Sequence, residues 1–175
     1  MMRSRRTLIL AVLQLCISFT AYARVAYLKS GKWSQIYQYH HIEPQDTVIV
    51  SGNVVIDMPL LIQGKLEITA GANFSGFKPL NIAPGGSLIN YVNLVVRSIL
   101  NNGLIQNNSI IDLLEDLENV GSLQNNHVIN CARSFYCHKG SMSGTNSQYY
   151  IQGVCQISKI VSIETENLSI KIQEE

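Results

Sequence analysis

The chain has little charge and few aromatic residues for its length. Of its 175 residues, 14% are charged and 7% are aromatic, and 13 Lys and Arg balance 12 Asp and Glu to a formal net charge of +1. This balance excludes a strongly basic nucleic-acid-binding protein, so we expect no nucleic-acid partner. Disordered chains combine high charge with few apolar residues, whereas 46% of this chain is hydrophobic. One folded domain is therefore expected.

The sequence also lacks the short motifs that mark common active sites. It contains no Gly-x-Ser-x-Gly, no phosphate-binding loop and no His-Glu-x-x-His. Cys-x-x-Cys is absent, and the adjacent His40 and His41 point to opposite sides of an extended chain. We therefore expect a protein that is not an enzyme, with no catalytic residue, no metal site and no cofactor.

The group that looks most reactive is an acidic cluster formed by Asp112, Glu115, Asp116 and Glu118. Enzymes of the β-helix class that cleave acidic polysaccharides use carboxylates and bases on an outer face, and glycosidases use a carboxylate pair. The cluster has no basic residue nearby in sequence and no calcium-loop spacing. Because charge runs are usually solvated, we interpret segment 113–118 as an exposed loop or a short helix.

Long apolar runs are absent after residue 20, and the one before it has the form of a secretory signal. An Arg-rich start precedes an apolar stretch at 7–20, and Ala-Tyr-Ala at 21–23 offers a small–x–small cleavage site. We predict a signal peptide at 1–23, cleaved between Ala23 and Arg24. The alternative is a membrane anchor, which needs about 20 apolar residues. No transmembrane helix is expected after removal of the signal.

Export places the mature chain in the periplasm, at the outer-membrane periphery or outside the cell, where disulfides persist. Three cysteines remain after cleavage, namely Cys131, Cys137 and Cys155. The simplest arrangement is one disulfide and one odd thiol. We predict a bridge between Cys131 and Cys137, which close a short loop, with a pair that uses Cys155 as the alternative.

What the sequence does contain is an internal repeat. Segments 99–112 (ILNNGLIQNNSIID) and 117–130 (LENVGSLQNNHVIN) are identical at six of fourteen positions. An earlier copy, GSLIN, begins at Gly86, and the successive glycines of the three copies are 17 and 18 residues apart. Two less secure copies begin at residues 52 and 64. A fixed repeat of this length is typical of stacked architectures.

Within each copy the alternation has a period of two, as in a β-strand. When turns of this length stack about 4.8 Å apart, inward aliphatic residues form a column and inward asparagines can hydrogen-bond to one another. Glycine is expected at a shared corner because its backbone angles are less restricted. The predicted ladder consists of Gly86, Leu88, Asn90, Gly103, Ile105, Asn107, Gly121, Leu123 and Asn125.

The repeat therefore predicts an all-β protein, a short single-stranded β-solenoid of about five coils that is similar to a parallel β-helix. A β-sandwich is the alternative, but its turns recur every 8–12 residues and do not predict a fixed Gly-to-Asn phase. We assign 24–44 to an N-terminal cap, 45–130 to the coils and 131–175 to a C-terminal cap, since open solenoid ends need cover.

Two segments carry a resemblance to known proteins. Residues 45–59 (QDTVIVSGNVVIDMP) resemble the opening coil of secreted bacterial β-solenoid proteins, and 86–130 resembles the Asn/Gly-rich coils of bacterial surface proteins. The resemblance covers about half of the chain. It implies an architecture and a bacterial envelope setting, and it implies no activity.

Two functions fit these observations. The first is an exported, non-enzymatic envelope or surface protein, a subunit of an outer-membrane or secretion assembly that contacts other envelope proteins or further copies through its solenoid faces. The second is binding or processing of a surface glycan, with a stacking platform of aromatic rings, unless these rings only pack over the last coil. A smooth Asn, Ser and Ile face favours the first function, and aligned acids with a basic residue favour the second. The aromatic residues concerned are Phe135, Tyr136, Tyr149 and Tyr150.

Overall fold

The computed structural model describes residues 22–37, 39–159 and 161–173, so the predicted signal peptide lies outside the described residues up to position 21. Each turn of the described chain contributes three short strands, and parallel pairing stacks seven such turns into a β-solenoid. The all-β solenoid is thus confirmed, with about seven turns instead of five. None of the described helices is long and apolar enough to cross a bilayer.

The strands line three faces, which we name A, B and C. The chain enters through β1 (Val25–Lys32) and a single helical turn, α1 (Trp33–Ile36), and the long strand β3 (Thr47–Val55) bends from face A to face B. Face A continues with β5 (Lys65–Ile68), β8 (Ser87–Asn90), β11 (Leu104–Asn107), β14 (Ser122–Asn125), β17 (Ser141–Gly144) and β20 (Ser162–Thr165). Face B contains β6 (Asn73–Ser75), β9 (Leu94–Val96), β12 (Ile110–Leu113), β15 (Val128–Cys131), β18 (Gln148–Ile151) and β21 (Ser169–Ile172). Face C contains β2 (His41–Ile42), β4 (Leu60–Ile62), β7 (Leu80–Ile82), β10 (Ile99–Asn101), β13 (Leu117–Asn119), β16 (Phe135–Cys137) and β19 (Cys155–Ile157).

Turns six and seven lie in the segment that we expected to be a C-terminal cap. The Gly-to-Asn signature ends before them, because Gly144 and Cys137 stand where earlier turns have asparagine. The inward alternation nevertheless continues, and Met142 and Tyr149 extend the columns of the turns above. Apolar alternation is therefore the feature that maintains the solenoid, and the asparagine signature marks only part of it.

The predicted inward residues of face A stack in register. Leu88 pairs with Ile105, and Ile105 pairs with Leu123, and all three side chains are fully buried. Their neighbours Ser87 and Gln106 point outward and are only partly buried. One column of aliphatic side chains thus runs along the inside of face A.

The predicted asparagines form a hydrogen-bonded ladder inside the core. The Nδ2 atom of Asn90 donates to Oδ1 of Asn107 at 2.9 Å, and Nδ2 of Asn107 donates to Oδ1 of Asn125 at 2.8 Å. A second ladder, which we did not predict, lies on face C, where Nδ2 of Asn101 donates to Oδ1 of Asn119 at 2.7 Å. These amides satisfy one another and nearby backbone carbonyls, which is what permits polar side chains in this core.

The glycine corner has a different cause from the one expected. Gly86, Gly103 and Gly121 are outside the left-handed region, so unusual backbone angles do not require glycine there. A Cβ atom built on Gly121 would lie 2.2 Å from the carbonyl oxygen of Gly103, and one on Gly103 would lie 2.3 Å from that of Gly86. Glycine recurs here because consecutive turns approach each other too closely for any side chain.

The N-terminal end of the solenoid is covered by the segment before the first turn. Strand β1 pairs in parallel with the whole length of β3, and Trp33 is fully buried beneath it. The indole ring packs against Tyr37 and Phe74, with ring centroids 5.0 and 6.0 Å away. This apolar plug hides the core at that end from water.

The predicted disulfide is not formed, and the three cysteines are free thiols. Cys131 ends β15 on face B and Cys137 ends β16 on face C, so each enters the core in a different column. The Sγ atom of Cys137 accepts a hydrogen bond from Nδ2 of Asn119 at 3.3 Å and so continues the ladder of face C. Short separation in sequence suggested the bridge, but strand geometry assigns the two thiols to different contacts.

We expect Cys131 to resist thiol reagents in the folded protein. Burial raises the pKa of its thiol to about 12, so that at pH 8 only roughly one molecule in ten thousand carries the reactive thiolate. Cys155 is less buried, and a maleimide followed by peptide mass mapping should modify it well before Cys131. In urea all three thiols should react at similar rates. A bridge found by mapping without reductant would contradict this assignment.

Candidate functional site

The outer surface of face A carries an uncharged patch that spans four consecutive turns. Two outward positions per strand stack in register from β8 to β17, and all eight side chains are partly buried by their neighbours. None of them is ionisable. We name this set the face-A patch, and it consists of Ser87, Ile89, Leu104, Gln106, Ser122, Gln124, Ser141 and Ser143.

Charged side chains stand on face A in the turns directly before and directly after the face-A patch. In the turn before it, Nζ of Lys65 lies 2.8 Å from a carboxylate oxygen of Glu67, and in the turn after it stands Glu164. Within the patch, the hydroxyl of Ser141 donates to that of Ser122 at 3.1 Å, so these small side chains are linked across turns. A flat, rigid surface of this kind can be covered by a partner without burying a charge.

The acidic cluster does not form one site. Asp112 points outward from face B and accepts a hydrogen bond from Asn130 at 2.6 Å, whereas Glu118 points outward from face C. Glu115 and Asp116 lie in the corner between these faces, where the backbone turns without forming a helix. Asp116 accepts a hydrogen bond from the backbone N–H of Ser134 and so fixes the corner of the following turn.

Glu115 lies close to two arginines that are distant from it in the sequence. Nε of Arg97 lies 2.9 Å from its carboxylate, and Arg133 stands at the same corner one turn later. The hydrogen bond from Arg97 holds the pKa of Glu115 below its usual value, with a smaller contribution from Arg133. A general acid needs a raised pKa to hold its proton near neutrality, so this carboxylate is suited to an ion pair and not to proton donation.

The four aromatic residues considered as one stacking platform are divided between the core and two faces. Phe135 and Tyr149 are buried and stack on each other, with centroids 5.5 Å apart and planes 11° from parallel. Tyr136 points outward from face C, and Tyr150 points outward from face B beneath the ammonium of Lys171. A sugar could not stack on all four rings together.

Face C holds a small group of side chains around Glu118. The imidazole of His138 stacks on the ring of Tyr136, with centroids 5.8 Å apart, and its Nε2 lies 4.0 Å from Oε1 of Glu118. No group of three His, Cys, Asp or Glu side chains suited to a metal ion occurs in residues 22–37, 39–159 and 161–173. The side chains of Tyr136, His138 and Glu118 thus contact one another on the outer surface of face C.

An apolar cleft that the sequence did not indicate lies where face B turns towards face C. It has a volume of about 550 Å³, and its walls include Val55, Phe77 and Val95. Lys32 and Lys78 also line it. Phe77, which follows β6 at this corner, projects into solvent.

Comparison of the chain with models of known protein families, with curated protein sequences and with solved structures finds no match. The architecture is therefore established by the strand pairing itself.

Proposed function

We propose that this protein is an exported, non-enzymatic interaction subunit of a bacterial cell-envelope assembly, which binds another envelope protein through the face-A patch. The observation that carries the proposal is the patch itself, with two outward positions in each of four stacked strands and no ionisable side chain among them. The centres of protein interfaces are depleted of charged residues in the same way.

Rigidity favours binding by this surface. Each strand of the face-A patch is paired on both sides, and the ladder of Asn90, Asn107 and Asn125 lies directly beneath it. The backbone is thus held in one conformation before a partner arrives, which reduces the entropy lost on binding. A sheet surface of this kind packs best against another flat surface, such as the face of a second sheet.

The N-terminal contacts are compatible with export and cleavage before Arg24. The carboxylate of Asp46 is almost fully buried and accepts hydrogen bonds from both the backbone nitrogen and the guanidinium of Arg24, the former at 3.1 Å. A cut at this point would leave β1 intact. It would also place the new α-ammonium group within hydrogen-bond distance of a carboxylate that can neutralise it.

The bacterial setting rests on the resemblance of segments 45–59 and 86–130 to secreted and surface β-solenoid proteins. Glycan processing receives less support, because its expected groups are separated. The acids of the cluster lie on two faces and the corner between them, and only two of the four aromatic rings point outward. Glycan processing would need these groups at one site, whereas binding of a partner protein needs only the uncharged surface of the face-A patch.

Two carboxylates placed in the face-A patch should abolish binding of its partner. In Gln106→Asp with Gln124→Asp, the new charges stand on adjacent stacked strands, and a partner would have to cover both. We expect loss of the proteins that co-purify with the exported chain after cross-linking in its own envelope. The two neighbouring carboxylates repel each other, so the melting temperature should fall by no more than it does in the control variant described next, which has the same geometry. The measurement is affinity purification followed by quantitative mass spectrometry.

The matched control is Val128→Asp with Gln148→Asp. These positions are also outward, stacked and in register, but they lie on face B. The control should retain the partners of the parent protein. If the face-A variant also retained them, the face-A patch would not be the binding surface.

A further inference from the structure

Turn seven, the last turn that the structure describes, leaves its inward side chains open to water. Ile163 and Ile172 occupy inward columns, and they are 44% and 52% exposed. Their counterparts one turn earlier, Met142 and Ile151, are fully buried. The inward side chains of turn seven therefore have the position of core residues without the cover that core residues have.

The backbone of turn seven is equally open. Strands β19, β20 and β21 end their sheets, and among the residues that the structure describes each of them pairs on one side only. Together they present a row of unpaired N–H and C=O groups on all three faces. At the opposite end β1 and β2 are also paired on one side only among the described residues, but there β1 and the buried Trp33 cover the core side chains.

We propose that two copies of this chain join end to end through turn seven, related by a two-fold axis that passes through face C at Gln156. Such an axis reverses strand direction, so β19 pairs antiparallel with β19 of the second copy, and β20 pairs with β21. An isologous contact of this kind closes on itself and gives a dimer, not a fibre.

The strand register of the solenoid determines which residues would face each other. In turn five, Gln124 and Asn130 are the positions that stack above Glu164 and Lys171. Gln124 lies six residues after the centre of β13, and Asn130 lies six residues before the centre of β16. Each position is thus six residues along the chain from the middle of a face-C strand, and in the proposed dimer the two-fold axis brings Glu164 opposite Lys171 of the second copy.

This register is complementary in both charge and polarity. Each dimer would contain two outward Glu164–Lys171 pairs, in which charges of opposite sign stand directly across the new ladder. In the same register Ile163 lies opposite Ile172 of the second copy, so the two most exposed inward side chains of this turn cover each other. This complementarity identifies the partner as a second copy of the same chain.

The dimer uses the end of the solenoid, whereas the proposed envelope partner uses the side of face A. Either association can fail without the other. The face-A variants described above leave turn seven unchanged, so their effect on co-purification does not test the dimer.

The first test is a charge swap, followed by sedimentation equilibrium over a wide concentration range. Glu164→Lys places lysine opposite Lys171 twice in each dimer, and we expect the dissociation constant to rise about tenfold or more. Glu164→Lys with Lys171→Glu restores both pairs in reversed polarity and should restore the dimer. Gln124→Lys, two turns away on the same face, is the control and should dimerise like the parent.

A second test locates the axis directly. In protein that also carries Cys155→Ser, Gln156→Cys should form a disulfide between copies on mild oxidation, because residues opposite each other in an antiparallel pair have Cα atoms about 4.5–5.5 Å apart. Tyr136→Cys, one turn from the interface, should remain monomeric on a non-reducing gel. A parent chain that sediments as a monomer throughout, a charge swap that restores nothing, or equal cross-linking of both cysteine variants would overturn the proposal.

Discussion

Ile105→Asp is expected to unfold the protein. Ile105 is fully buried between Leu88 and Leu123, each in register on the neighbouring strand, and no basic side chain lies in that column. A carboxylate in this position loses its hydration and gains no ion pair, which costs several kcal/mol. That cost is comparable with the whole stability of a typical domain, about 5–15 kcal/mol. Thermal unfolding followed by circular dichroism measures the effect.

The matched control for this change is Gln106→Asp, one residue further along the same strand. Gln106 points outward and pairs with the outward residues Ile89 and Gln124, so its carboxylate would remain hydrated. We expect a melting temperature within a few degrees of the parent protein. If Ile105→Asp melted like the parent while Gln106→Asp did not, the inward and outward phases of β11 would be reversed.

Strand phase was predictable because the repeat is strongest where the core is most regular. Leu88, Ile105 and Leu123 recur with the glycines and asparagines of 86–130, so a single alternation gave both the solenoid and its inward side. Turns six and seven were missed because other residues replace the asparagines, namely Gly144 and Cys137 in turn six and Thr165 and Ile157 in turn seven. The physical requirement is only an apolar side chain at every second position, and residues as different as Met142 and Tyr149 meet it.

The contacts at the corners and the uncharged outward surface were not predicted in this way. The ion pair between Arg97 and Glu115 joins residues that are far apart in sequence but stand one turn apart at the same corner. The face-A patch likewise consists of residues from four separate strands, and only their register brings them together. Conversely, Cys131 and Cys137 are close in sequence but belong to different faces. Sequence separation is thus a poor guide to proximity in a solenoid, where neighbours recur about once per turn.

Removal of the whole asparagine ladder should cost less stability than the sum of its single breaks. Asn107→Leu keeps the branching of the side chain at Cγ but removes the donor to Oδ1 of Asn125 and to the carbonyl oxygens of Ser109 and Val128, at 2.8, 2.7 and 3.0 Å. Each buried group left without a partner costs about 1–3 kcal/mol. We expect a loss of several kcal/mol in urea unfolding, without a change in the slope of the transition.

The comparison variant replaces the whole ladder, with Leu at position 107 and Ile at positions 90 and 125. Val50 and Ile68 already occupy this column in the first two turns and are fully buried, so aliphatic side chains fit its geometry. Removing all three amides together leaves no asparagine side chain without its partner. The triple variant should therefore lose less stability than the sum of its three single changes. If the losses were additive, or if Asn107→Leu alone cost less than about 1 kcal/mol, the amides would contribute independently to the core and not as a ladder.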